Sequence, residues 1–345
     1  MDELLRGIKG ECDTLGCWIG DLPRGCKLCM EGAKSVVFVT GVCPERCWYC
    51  PLSKARKGKY VTYVNEVLAR DVKDVVTEVA ANLSKGAGIT GGDPIARLDR
   101  TVEIIKTLKE TFGQDFHIHL YTTGYLLTKE KMNELVSAGL DEIRIHITGE
   151  HSYRALEIAT KSGIDVGVEN PAIPGTEKML LNAIRRAAEI GASFVNLNEL
   201  EFSEGNEASL LLRGYRTEDG VAAVGSRETA IRAMAAIVEE GIDISIHYCP
   251  ARYKDSVQYR RRLAKRAIAT RMPYEEVEDS LVKWVEIGDS EIVSRELIVM
   301  GLAFIRDDKV VTSETLAKRL GLRHTLIKAY PLSPRKVIET LEEQS

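Results

Sequence analysis

Seven of the chain's eight cysteines fall within its first 50 residues, at Cys12, Cys17, Cys26, Cys29, Cys43, Cys47 and Cys50, and only Cys249 stands apart. The opening residues MDELLRGIKGE are charged rather than signal-like, and no apolar run approaches the roughly 20 residues that a membrane-crossing helix needs. The expected setting is the cytoplasm, with no membrane partner. In a long chain of that kind, crowded cysteines read as metal ligation rather than as a disulfide framework. Three of them, in Cys43-Pro44-Glu45-Arg46-Cys47-Trp48-Tyr49-Cys50, have the spacing CxxxCxxC. Soft thiolates suit iron, and an ordinary [4Fe–4S] cluster takes four of them. Three leave one iron open to a small molecule. The competing reading is a zinc knuckle completed by an upstream cysteine.

The segments around that run decide where it would sit. From Lys34 onward, short β-branched runs alternate with longer amphipathic segments, the pattern of repeated βα units. Strands are expected at Ser35–Thr40, Ala87–Thr90, Phe116–Thr122, Glu142–Ile147, Ile164–Val168, Phe194–Leu197 and Ile242–Tyr248. Helices are expected near Asn65–Ser84, Arg97–Thr111, Lys129–Ala138, His151–Lys161, Glu177–Glu189 and Arg227–Glu239, with glycines such as Gly139 and Gly191 at their ends. This order implies an α/β fold in which a parallel sheet curls into a partial or full (β/α) barrel, although an open doubly wound sheet has the same local pattern. At 345 residues and 44% hydrophobic, the chain can hold one large domain with smaller appendages. The expected division is a Cys-rich amino-terminal cap over 1–33, a barrel over 34–251, and a basic helix with a small α/β unit over 252–345.

Unusual polar residues stand in the strands. A period of two puts His117, His119 and Tyr121 on one strand face, Arg144, His146 and Thr148 on the next, then Asn196 with Asn198, and Ser245 with His247 and Cys249. One such histidine alone is commonly a hydrogen-bonded core residue. The pattern repeated over four strands implies a polar barrel interior.

The CxxxCxxC run, placed directly after the first strand, resembles the signature of the radical S-adenosylmethionine (SAM) superfamily. In that family the amino and carboxylate groups of SAM chelate the unique iron of the cluster. Tyr49 matches the family's aromatic position beside the adenine. Thr90-Gly91-Gly92-Asp93-Pro94, after the second strand, is similar to the motif that holds the SAM amino group, with Asp93 in place of the usual Glu. Tyr121-Thr122-Thr123-Gly124 resembles the third-strand segment, and Glu169, in Val166-Gly167-Val168-Glu169-Asn170, occupies a position that often contacts SAM. Asn198, with His146, Glu199 and His247, is a further candidate for orienting SAM or substrate. The resemblance spans about residues 34–250 and is closest to archaeal-type proteins likened to glycyl-radical activating enzymes. It implies reductive cleavage of SAM, a 5′-deoxyadenosyl radical that abstracts hydrogen, and an electron donor such as ferredoxin or flavodoxin.

Upstream, Cys12-x4-Cys17-x8-Cys26-x2-Cys29 offers four thiolates at ligand spacing for structural zinc, a rubredoxin-like iron or an auxiliary iron–sulfur cluster. Cys249, closing the seventh strand, is the candidate catalytic thiol, as hydrogen-atom donor, nucleophile or ligand; a lone buried cysteine is otherwise an inert small hydrophobe.

The net charge of −4 gives no global attraction to nucleic acid. A local stripe carries Arg252, Lys254, Arg260, Arg261, Arg262, Lys265 and Arg266, interleaved with Tyr253 and Tyr259. It reads either as a phosphate-contacting surface or as an amphipathic helix with solvated arginines. The tail is expected to hold a hairpin turning at Asp307-Asp308 and a helix capped by Thr312-Ser313. The leading functional expectation is a radical SAM enzyme acting on a macromolecule, RNA or protein. A glycyl-radical activase, a small-metabolite radical enzyme and a zinc-stabilised binding module are the alternatives.

Overall fold

Strands that turn polar side chains inward and apolar ones outward organise the larger of two units. The computed structural model describes residues 8–12, 16–288 and 291–343, with one unit built from the chain up to Gln258 apart from Ala81–Leu83, and another from those three residues and Tyr259 onward. In chain order the larger unit contains β1 (Lys9–Glu11), β2 (Gly16–Ile19), α1 (Arg24–Met30), β3 (Lys34–Phe38), β4 (Thr62–Val64), β5 (Val67–Ala69), α2 (Val72–Ala81) and β6 (Gly86–Thr90). It continues with α3 (Leu98–Phe112), β7 (His117–Thr122), α4 (Lys129–Ala138), β8 (Glu142–Ile145), α5 (Glu150–Ala159), β9 (Asp165–Ala172), α6 (Glu177–Ile190), β10 (Phe194–Glu199), α7 (Glu207–Leu212), α8 (Ser226–Glu239) and β11 (Ser245–Cys249).

Seven of these strands run parallel in the order β3-β6-β7-β8-β9-β10-β11. The run does not close on itself. β3 pairs next with antiparallel β4, and β11 pairs with antiparallel β2, so the barrel is partial rather than full. Outward residues such as Ile89, Ile118, Leu120, Ile143, Val168, Leu197 and Ile246 join helix residues such as Ile105, Leu135, Leu156 and Ile184 in one buried core. Burial of each such side chain is worth about 1.5–3 kcal/mol.

Two expectations change. The helix expected over Asn65–Ser84 begins only at Val72, because Asn65 takes a left-handed backbone (φ 53) and turns β4 into β5. Its side chain accepts from Val36 N at 2.9 Å, which ties that hairpin to the edge of β3. The amino-terminal segment is not a separate cap. β2 extends the sheet beside β11, and α1 packs against β3, β6 and β7. Gly25 and Gly86 permit that packing: a Cβ on Gly25 would lie 2.6 Å from His119 Nδ1, and one on Gly86 2.7 Å from Leu28 Cδ1.

In the second unit, strands Phe304–Arg306, Lys309–Thr312, Leu281–Ile287, His324–Tyr330 and Lys336–Glu343 form an antiparallel sheet in that order, with Glu276–Glu278 also paired to Leu281–Ile287. Asp307 (φ 49) and Asp308 (φ 62) make the expected hairpin turn. Ser313 caps the helix Glu314–Arg319 by accepting from Leu316 N.

Candidate active site

The loop after β3 carries Cys43, Cys47 and Cys50, whose free, part-buried thiols border a cavity of about 450 Å³. Three neighbouring segments hold this loop. From the end of β6, Gly92 N donates to Thr40 O at 2.7 Å and Asp93 N to Val42 O at 2.8 Å. Neither glycine tolerates a side chain: a Cβ on Gly91, at φ 153, would lie 2.3 Å from Thr40 O, and one on Gly92 2.4 Å from Val42 O. From the segment after β10, Asn206 Nδ2 donates to Tyr49 O at 2.9 Å, and Trp48 stacks on Tyr215. After β8, His151 Nε2 lies 2.9 Å from Glu45 Oε1, and the Thr148 hydroxyl donates to the same oxygen at 3.2 Å.

Asp93 performs a different task from the one its motif suggests. Its carboxylate is fully buried and accepts from Ile95 N (3.0 Å), Thr122 Oγ1 (2.9 Å), Thr123 N (3.1 Å) and Thr123 Oγ1 (2.9 Å). It joins the end of β6 to the end of β7. Burial pushes its carboxyl above the usual range, against those hydrogen bonds. The glycines line the cavity, and the carboxylate is spent on structure.

Tyr121, Arg144, His146, Asn196, Asn198, His247 and Cys249 of the period-two pattern line the cavity together with Glu169, whereas His117, His119, Thr148 and Ser245 of the same pattern do not. They form a directed network. Tyr49 O–H donates to His146 Nε2 at 2.7 Å, and His146 Nδ1–H donates to Glu169 O at 2.8 Å. Burial holds His146 below the usual imidazole range, in keeping with a neutral ring that both donates and accepts. His247 Nδ1–H donates to Asn196 Oδ1 at 2.5 Å, Asn196 to Asn198 at 3.2 Å, and Asn198 Nδ2 to Glu169 Oε1 at 2.8 Å. Arg144 completes it, reaching Glu169 Oε2 at 2.8 Å and Glu142 Oε1 at 2.6 Å. Burial alone would raise the Glu169 carboxyl, but Arg144 and Asn198 outweigh it and hold the group below its ordinary value. Glu142, fully buried, escaped sequence reasoning, although it stands two residues before Arg144 on the same strand face.

The four upstream cysteines do not form one site. Cys12 and Cys17 are bonded to each other, whereas Cys26 and Cys29 are free thiols of α1 that line the cavity. The reason is register: β2 places Cys17 opposite Tyr248 of β11, and α1 is a separate element on the far side of a turn. Burial pushes the Cys26 thiol up to about 11, with Arg144 Nη2 3.4 Å from its sulfur. Cys249 is buried on the cavity wall, and burial raises its thiol far above the ordinary range.

The donor set fits an iron–sulfur cluster with one open iron: three free thiols on one loop, no fourth cysteine on that loop, and a polar-walled cavity beside them. Among the described residues no three metal-binding side chains gather around a single ion, an arrangement that a cluster holding each thiolate on a separate iron does not require. Burial pushes Cys43 up to about 11, and ligation would release its proton.

Residues 37–198 match the Radical SAM superfamily. The chain is 39% identical over 338 residues to a Methanocaldococcus jannaschii protein provisionally named a glycyl-radical enzyme activating enzyme, covering 94% of this chain and 86% of that one. It is 33% identical to PqqA peptide cyclase of Bradyrhizobium diazoefficiens over 32% of this chain and 27% of that one. Among solved structures, Streptococcus suis SuiB bound to its precursor peptide SuiA matches with a TM-score of 0.47 and 10% identity over 62% of this chain. The chain spans about half of that protein, 48% of its length. No helix among the described residues is long and apolar enough to cross a membrane.

Proposed function

The chain belongs to the radical SAM superfamily, and from that membership we propose that it holds its cluster on Cys43, Cys47 and Cys50 and directs radical chemistry at a protein partner. It is an iron–sulfur enzyme whose cofactors are a [4Fe–4S] cluster and SAM. The observation that carries the site assignment is the set of three free thiols on one loop beside a polar cavity. When bound, the reduced cluster supplies the electron that divides SAM into methionine and a 5′-deoxyadenosyl radical.

The chain's own residues do the rest. Gly91 and Gly92 bring the end of β6 against the cysteine loop, so the cavity begins directly beside the thiols. Tyr49 and His146 tie that loop to β9. Glu169 and Asn198, oriented by Arg144 and Asn196, present a fixed anion and an amide for SAM or substrate. Cys249, kept protonated by burial, is a thiol on the cavity wall suited to giving a hydrogen atom to a substrate radical.

Protein is favoured over RNA on two grounds. The relative that matches almost the whole chain is named for acting on a glycyl-radical enzyme. Part of the basic stripe is also engaged within the protein: Arg252 pairs with Asp219, Lys254 with Glu201, Arg266 with Pro331 O, and Tyr253 is buried.

Anaerobic reconstitution with iron and sulfide, followed by dithionite and SAM, is expected to yield 5′-deoxyadenosine from the wild type and none from a Cys43→Ala, Cys47→Ala, Cys50→Ala variant. Equal product from both would sink the assignment of those cysteines.

A further inference from the structure

The cavity extends away from the cysteine loop to a deep end that the chemistry above leaves unused. Lys34 opens β3, whereas the cysteine loop leaves from the other end of that strand, so the two lie about 13 Å or more apart along it. Lys34, Cys26, Cys29, Met30, Val36 and Gly88 line this end, where α1 packs across β3, β6 and β7. Lys34 Nζ has one polar contact, His119 Nε2 at 3.5 Å, and among the described residues it forms no ion pair. Burial holds His119 well below the usual imidazole range, so its ring is neutral and cancels no charge.

The carboxylates of the surrounding network are already engaged. Glu142 accepts from Arg144 Nε through Oε1 at 2.6 Å and from Gly25 N through Oε2 at 3.3 Å. Glu169 accepts from Asn198 through Oε1 and from Arg144 through Oε2, each at 2.8 Å. Lys254, on the same cavity, has Glu201 at 3.0 Å. Lys34 alone of these cations keeps ammonium N–H groups that no protein carboxylate takes up. Burial works against its charge, yet Cys29 and Tyr121 beside it outweigh that and hold the ammonium above its ordinary range. A charge withdrawn from water is costly until something pairs with it.

We propose that Lys34 anchors a carboxylate of the substrate at the deep end of the cavity. The inference rests on the reading of this cavity as the radical site and names the chemical group that the substrate brings to it. In the radical SAM family the SAM carboxylate is held at the unique iron, so it is not available to a lysine at the opposite end of β3. One ammonium among neutral rings and thiols matches a single negative charge. A phosphate dianion calls for more donors than remain, because the Arg144 guanidinium is spent on Glu142 and Glu169. Cys29 acts electrostatically on both Lys34 and Cys249, so a substrate held by its carboxylate lies near the thiol suited to give it a hydrogen atom. Fixing one end of the substrate in this way aligns the carbon that reacts.

The test compares acids with their amides on the full, reconstituted chain in the presence of SAM, by ligand-observed nuclear magnetic resonance. Three acids stand for three sources of the group: N-acetyl-glycyl-glutamyl-glycinamide for a side chain, N-acetyl-triglycine for a chain end, and glutarate for a free metabolite. The glutaminyl peptide, N-acetyl-triglycinamide and glutaramide are their uncharged counterparts. At least one acid is expected to bind about tenfold or more tightly than its amide. Lys34→Met is expected to bring that ratio close to one and Lys34→Arg to keep it, with urea midpoints reporting whether each variant folds. Acid and amide bound equally by the wild type in all three pairs would overturn the proposal, and that comparison needs no variant. A preference that survives in Lys34→Met, or inorganic phosphate bound more tightly than any of the acids, would overturn it as well. A preference confined to glutarate would keep the subsite and overturn the protein-partner reading. Binding requires no turnover, so failure to form 5′-deoxyadenosine would count against the cluster assignment and leave the carboxylate subsite standing.

Discussion

The hydroxyl of Tyr49 donates to Nε2 of His146 at 2.7 Å, joining the residue before the last loop cysteine to the polar wall of the barrel. The bond crosses from the β3 loop to the end of β8 and passes on, through Nδ1–H, to Glu169 O.

Tyr49→Phe removes that donor and leaves Nε2 without its partner in a buried setting. A loss of about 1–3 kcal/mol in stability is expected, with iron and sulfide content unchanged. Denaturant midpoints and iron analysis check it, and an unaltered midpoint would mean that water replaces the hydroxyl.

Gly92→Ala places a methyl 2.4 Å from Val42 O, an atom of the cysteine loop's own backbone. The loop must shift, and 5′-deoxyadenosine formation is expected to drop by about tenfold or more. Gly175→Ala is the comparison, because its Cβ would meet open space and only its φ of 82 opposes it, at about 1–2 kcal/mol. Comparable activity in the two variants would refute the close-approach account.

Asp93→Glu restores the residue usual in the SAM motif but adds a methylene where the carboxylate already receives Ile95, Thr122 and Thr123. A destabilisation of about 1–3 kcal/mol is expected from overpacking. If the variant is as stable as the wild type and cleaves SAM faster, the structural role given to Asp93 is wrong.

His247 is held down to about 4 from an ordinary 6.5 by burial, with the Arg144 charge acting in the same direction. Between those values the unfolded chain takes up a proton that the folded chain refuses, so stability falls as pH drops from about 6.5 towards 4. His119 and His146 are displaced in the same direction by burial, which steepens the loss. Comparing urea midpoints at pH 7 and pH 5 for the wild type and His247→Gln tests this: the variant is expected to lose less.

Short-range pattern was legible in the sequence wherever one element carries the whole signal. The CxxxCxxC loop follows its strand as expected, and alternation along β7, β8, β10 and β11 brings Tyr121, Arg144, His146, Asn196, Asn198, His247 and Cys249 to one cavity wall. Helix ends read from glycine were also legible, as Gly139 (φ 106) and Gly191 (φ 99) close α4 and α6.

Relationships between distant segments were decided only in the folded chain. No spacing rule separates Cys12 and Cys17 from Cys26 and Cys29, because their parting comes from the pairing of β2 with β11 and from the packing of α1 against β6 and β7. Asp93 likewise reads as a ligand residue in its motif, yet its donors Thr122 and Thr123 stand 29 and 30 residues away. A pattern of period two or 3.6 specifies which face of one element is buried. Which side chains then meet across that face depends on strand order and register, and only the tertiary structure supplies those.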